Sequence, residues 1–227
     1  MAIPDSKFYS GHRERLRQKF LDGKLAEYEK LELLLGFVVP RRDVRPLAHA
    51  LLKHFGSIGQ VLTAQMSDLL SFPGVGRNIA IFLKMIHEIM LSGYRTRMDS
   101  RPIFHDINVV KDYCKWALAN KTVEEFHVLY LDSDHRLLKD DVHSSGTFNG
   151  TSIYVREIIK RALELNSTAV VFVHNHPVSD HTFSTDDITS TEEIQKILDG
   201  LDIKLFDHLL VTKHSIYSGR DYGFVHA

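Results

Sequence analysis

Apolar positions recur at three- and four-residue spacing in two early stretches, Glu27–Phe37 (EYEKLELLLGF) and Asp43–Phe55 (DVRPLAHALLKHF). That spacing lines one face of a 3.6-residue period and predicts two amphipathic helices. Gly36, Pro40 and Gly56 supply the stop signals around them. A third helix is predicted from about Ile79 to Leu91 (IAIFLKMIHEIML). The segment after it, Ser92–Phe104 (SGYRTRMDSRPIF), is polar and aperiodic and holds Gly93 and Pro102, so it reads as a linker. The expected organisation is a helical domain over residues 1–92, a linker over 93–104 and a second domain over 105–227.

The second half alternates. Asn108–Leu118 predicts a helix, Phe126–Asp132 (FHVLYLD) a strand, 133–136 a turn and Leu137–His143 a second strand. Tyr154–Asn166 (YVREIIKRALELN) has the helical period. Thr168–His174 (TAVVFVH) is a continuous apolar run, as expected of a central strand covered on both faces. A polar loop, a helix over Thr185–Leu198 and strands at Ile203–Phe206 and Leu209–Thr212 complete the pattern. Strands and helices in this order predict an α/β or α+β fold, with an all-helical N-terminal part followed by a mixed sheet flanked by helices.

Composition narrows the class. The chain has 227 residues and 44% hydrophobic content, enough for one large domain or two modest ones with real cores. No run of 18 apolar residues is present, so no membrane span is expected, and the first residues lack the apolar stretch of a secretory signal. The one cysteine, Cys114, cannot form an internal disulfide or build a cysteine zinc site, and a cytoplasmic location is expected. Residues 1–100 carry 15 Lys+Arg against 10 Asp+Glu, and the remainder 13 against 19. The basic half is weakly suggestive of nucleic acid.

Candidate chemistry concentrates at His174-Asn175-His176-Pro177 and at Ser184 and Asp187. Alternate strand residues share a face, so His174 and His176 can approach one small cation. Pro177 forces the chain out of a central strand just beyond them. Ser184 and Asp187, three apart at a helix start, lie on one side of it. Asp187 as third ligand would leave one open position for water on a zinc ion, the arrangement of a catalytic site. Ser184 could donate a hydrogen bond to an oxyanion. Ser-x-x-Asp is equally a capping box, and paired histidines are often satisfied by ordinary hydrogen bonds. The combination, H-x-H leaving a buried strand followed by Ser-x-x-Asp opening a helix, favours one zinc per chain.

His174-x-His176, seven residues, then Ser184-x-x-Asp187 resembles the signature of the JAMM (MPN) zinc metalloproteases. The likeness extends to the bacterial RadC family through Gly146-Thr147, Arg156-Glu157-Ile158, the HNHP of 174–177 and Asp207-His208-Leu209. The N-terminal half, with its Gly74-Val75-Gly76 turn, is similar as well. The resemblance implies a JAMM/MPN-like second domain and a peptidase or isopeptidase acting on peptide or isopeptide-linked protein. It also implies a glutamate before an early strand as general base; Glu124 is favoured over Glu125, and only one of the two can face the zinc. Departures are Val178-Ser179 where Ser-Gly is usual, Phe183 before the serine and Val155 at the helix start, each replacing proline. None of them is a ligand, and the loop Val178–Phe183 would line the substrate entrance. His181 in that loop reads as solvent-facing, Asp186 as a weaker alternative to Asp187, and His208 as structural.

Leu69–Leu83 (LLSFPGVGRNIAIFL) has the pattern of a helix-hairpin-helix. Gly74 and Gly76 would allow a tight turn, and amides at the next helix start, with Arg77, could meet a DNA phosphate without sequence preference. The same Gly-x-Gly serves as a plain helix connector. Arg13, Arg15, Arg17 and Lys19 add a basic stretch. The rival functional reading is a DNA-binding accessory protein in repair or recombination, with or without nuclease activity.

Overall fold

The computed structural model describes residues 6–103, 107–146, 152–178 and 182–226. The chain divides into two compact units, Met1–Ile89 and Met90–Ala227. Among the described residues no helix is long and apolar enough to cross a membrane.

The first unit is helical, with α1 (Ser6–Leu21), α2 (Glu27–Val38), α3 (Arg45–Phe55), α4 (Ile58–Thr63), α5 (Met66–Ser71) and the first part of α6 (Arg77–Ser100). Leu16, Leu31, Leu35, Leu51, Val61, Leu69 and Leu83 are buried there, and Leu31, Leu35, Leu51 and Leu83 stand at the helical spacing that predicted α2, α3 and α6. Helix α1 is polar enough to have escaped that search. Its Arg13 is engaged inside the unit, donating to the carbonyls of Val39, Pro40 and Arg42. Lys19 likewise pairs with Glu29 at 2.6 Å. Much of the basic stretch therefore ties α1 to its neighbours.

The expected linker is corrected in part: α6 runs on through Ser100. Leu91 and Met98 are buried and Tyr94 packs beside them, a three-and-four spacing hidden by the polar residues between. Gly93 does not break the helix, and Pro102 stands beyond its end.

Among the described residues, the second unit holds a five-stranded sheet in the order β2-β1-β3-β4-β5. The strands are β1 (Glu125–Leu131), β2 (Leu137–Ser145), β3 (Ala169–Asn175), β4 (Lys204–Val211) and β5 (Ile216–Ser218). Helices α7 (Ile107–Leu118), α8 (Ser152–Glu164) and α9 (Thr185–Asp199) flank it. Among the described residues, β3 and β4 alone run parallel, joined through α9; the other pairs are antiparallel. This is the expected mixed sheet. Every residue of β3 is buried, as the unbroken apolar run required.

One face of the sheet packs Leu129, Leu131, Val171, Val173 and Leu209 against α7. The other packs Phe126, Val128, Tyr130, Phe172 and Leu210 against α8 and α9. The two strands expected at 203–206 and 209–212 are one strand, β4. Asp207 and His208 look like a break, but a bulge between Leu205 and Asp207 keeps the ladder going. A bulge sets two residues against one and resets the alternation beyond it. Unbulged, Val173 would face His208; as built, Phe172 does, and His208 falls on the α8/α9 face.

Candidate metal centre

His174 is the penultimate residue of β3, and His176 follows the strand with its backbone N–H still donating to Val211 O at 2.9 Å. Pro177, lacking an N–H, ends the pairing there. Ser184 is the N-cap of α9: its Oγ accepts from Asp187 N at 3.1 Å, and its backbone N–H and hydroxyl donate to Asp187 Oδ2 at 2.8 and 2.7 Å. The capping box and the candidate carboxylate are thus the same residues. The cap holds Asp187 by Oδ2 and leaves Oδ1 toward His174.

His174, His176 and Asp187 are brought together. His174 Nε2 lies 3.2 Å from His176 Nε2 and 3.5 Å from Asp187 Oδ1, and His176 Nε2 lies 3.8 Å from Asp187 Oδ2. A tetrahedral ion with bonds of about 2.0–2.1 Å holds its ligand atoms about 3.3 Å apart. The three side chains fit such an ion. Asp187 is 5% exposed, His174 3%, whereas Asp186 is exposed. Burial alone would raise the Asp187 carboxyl, but His174 and the two Ser184 hydrogen bonds outweigh it and hold it well below the usual carboxylate range.

The far nitrogen of His174 is held in a defined sense. Thr191 Oγ1 donates to Asp187 O, a carbonyl that can only accept, at 2.5 Å. Its hydroxyl proton being used, Thr191 accepts from His208 Nδ1–H at 2.7 Å. Burial, then the neighbouring His174, push the His208 pKa well down, so its ring is neutral and Nε2 is an acceptor. His174 Nδ1–H therefore donates to His208 Nε2 at 2.8 Å, and His174 Nε2 is left facing His176 and Asp187. Orientation of a ligand histidine through its second nitrogen is the usual companion of a metal site. His208 is fully buried on this face, with both ring nitrogens hydrogen-bonded.

The two glutamates separate. Glu125 opens β1 and is bonded to Lys121 at 3.0 Å and His127 at 3.1 Å, on the face opposite His174. Glu124 is half-buried, two residues before Phe126; the β1–β3 pairing sets Phe126 opposite His174, and extended by two residues it sets Glu124 opposite His176.

A family model described as RadC-like JAB domain matches residues 104–224. The chain belongs to the RadC-like JAB-domain family. A UPF0758 protein of Ruegeria pomeroyi is 39% identical over 217 residues, spanning 94% of this chain and 97% of that relative.

In this RadC-like chain, Phe183, in place of the usual proline, is buried and packs on His174, His208 and Phe224, forming part of the wall of the site. Val178 is fully in solvent at 97% exposure, while Thr147, Ser179 and His181 lie outside the described residues. Sequence reasoning missed Thr191 and the side chain of Asn175. Thr191 carried a signal, standing four residues after Asp187 on one helix face. In the first unit, Gly74 has φ +90° between α5 and α6, and Gly74, Gly76 and Arg77 are exposed. Alanine at Gly74 would be strained there.

Proposed function

We propose that this RadC-like chain is a zinc-dependent hydrolase of amide-type bonds, a peptidase or isopeptidase, with His174, His176 and Asp187 as the ligands. The observation that carries the reading is the convergence of three ligand atoms, one from each residue, within 4.8 Å of one another. Bound there, zinc supplies a water that ionises near neutral pH and a Lewis acid for the substrate carbonyl. Glu124, on the His174 side of β1, takes the proton from the attacking water and returns it to the leaving amine. Ser184 Oγ faces the developing oxyanion after its single proton swings away from Asp187 Oδ2, which keeps the Ser184 backbone N–H. His208 and Thr191 hold the His174 ring throughout. Protein purified without chelators should contain about one zinc per chain. His176→Ala should lose the metal together with hydrolysis of a panel of peptide and lysine-isopeptide substrates. Undiminished zinc in a His174→Ala/His176→Ala variant would refute the assignment.

A second reading is favoured by the exposed hairpin at Gly74, which presents the start of α6 and Arg77 to solvent. We propose that it contacts DNA phosphates without sequence preference. In gel-shift titrations Arg77→Glu should weaken binding and flatten its salt dependence; no shift by the wild-type chain at low salt removes this reading.

A further inference from the structure

We propose that Asn175, the residue between the two histidines, is a positioning residue that sets Glu124 beside the cation site by clamping the peptide groups on either side of it. The inference rests on the roles given above to His174, His176, Asp187 and Glu124.

The ladder between β1 and β3 runs out where it is most needed. Phe126 pairs with His174, and Glu125 is the first residue of β1. Two residues on, His176 N donates to Val211 O on β4, and Pro177 has no N–H to offer. Glu124 thus stands one residue before β1, beyond the last paired residues, Phe126 and His174. Ordering such a residue costs backbone entropy, so an unsupported carboxylate would wander.

The Asn175 side chain takes the place of the missing backbone. Its Oδ1 accepts from Glu125 N at 2.8 Å and its Nδ2 donates to Val123 O at 3.1 Å. These two peptide groups bracket Glu124. On the β2 side, Gly146 N donates to Glu124 O at 2.8 Å. Asn175 is 1% exposed, so both bonds are shielded from competing water. A carboxylate could make only the first bond, since it has no donor, and a serine hydroxyl could not span both groups. Because Asn175 is covalently joined to both His174 and His176, the clamp transmits their position to Glu124 through one residue. Misplacement of a reacting group by about 1 Å can cost 100-fold, so the coupling has a purpose.

Cobalt(II), which accepts the same donors and absorbs visible light, is the probe, added to the full chain in place of zinc. The measurement is the pH profile of its visible band, with cobalt stoichiometry alongside. A carboxylate beside the site disfavours gain of negative charge there, so Glu124→Gln should lower the midpoint by on the order of one pH unit. Asn175→Ser should move it in the same direction, and Glu124→Gln/Asn175→Ser no further than Glu124→Gln alone. Glu125→Gln, which breaks the contacts to Lys121 and His127, should leave the midpoint in place. A wild-type midpoint in Asn175→Ser beside a shifted Glu124→Gln overturns the clamp and leaves the Glu124 role standing. An unshifted Glu124→Gln, or a wild-type chain that takes up no cobalt, overturns both. Should Asn175→Ser not hold cobalt, Asn175→Asp is read in its place, since it keeps the shape and the acceptor but not the donor. Failure of both to hold cobalt assigns Asn175 to the folding of the site and overturns the proposal.

Discussion

The two faces of the sheet in the second unit each carry histidine against carboxylate, and they use the pairing differently. On the α7 face, His127 gives Nδ1 to Asp140 at 2.9 Å and Nε2 to Glu125 at 3.1 Å; Tyr113 donates to Asp140, and Arg95 donates to the Tyr113 hydroxyl at 3.1 Å. Both ring nitrogens are satisfied within the protein. On the α8/α9 face, His174 gives one nitrogen to His208, and its other nitrogen, the His176 ring and an Asp187 oxygen converge on one point. The residue types are nearly the same. What separates a structural network from a candidate metal centre is whether the last polar atoms close on one another or on a shared space.

The contrast is sharpest in a variant that opens the closed network. Asp140→Ala leaves the His127 nitrogen and the Tyr113 hydroxyl without their acceptor, both side chains of the His127–Asp140 pair being close to 10% exposed. Removing one partner of such a buried pair costs about 3–5 kcal/mol, read as a lower urea midpoint, with zinc content per chain unchanged. Loss of zinc in Asp140→Ala would break the separation of the two faces.

The opposite pattern is expected of Thr191→Val. Valine keeps the shape but frees His208 to adopt the other tautomer, so His174 loses its fixed orientation. Second-layer changes of this kind cost about 10–100-fold in metal affinity, measurable by competition with a zinc chelator. Stability without metal should change less than in Asp140→Ala.

The smallest effect is a pH dependence confined to the α7 face. Burial would lower the His127 pKa, but Asp140 and Glu125 outweigh it and raise it above 6.5. Its contribution is complete below 6.5 and is lost as pH rises through the folded value. Burial would raise the Asp140 carboxyl, but His127 outweighs it and lowers it below 3.8, so that contribution is complete above 3.8 and lost as pH falls through the folded value. The network therefore stabilises most between about 4 and 6.5. Denaturant midpoints across pH should show a decline on the alkaline side that Asp140→Ala abolishes.

Local physics made a good part of the molecule legible in the sequence. The period of 3.6 in α2, α3 and α8 and the unbroken apolar run of β3 follow from side-chain direction along a single element. So does the proximity of His174 and His176: two residues apart near a strand end, with Pro177 closing it, they had little freedom to diverge. Ser184 and Asp187 were readable as a cap or as part of a site, and the structure shows that the cap itself aims the carboxylate.

Tertiary pairing decided the rest. The length of α6 depended on Leu91, Tyr94 and Met98 meeting the core of the second unit, which no local count of polar residues foretells. The face taken by His208 hung on one bulge in β4, because an added residue reverses inside and outside for everything after it. The opposite faces of Glu124 and Glu125 were likewise a matter of register against β3. Sequence determined which elements form and which residues can share a face; only contact between distant strands determined which face that is, because register and bulges belong to a pair of strands and to neither one alone.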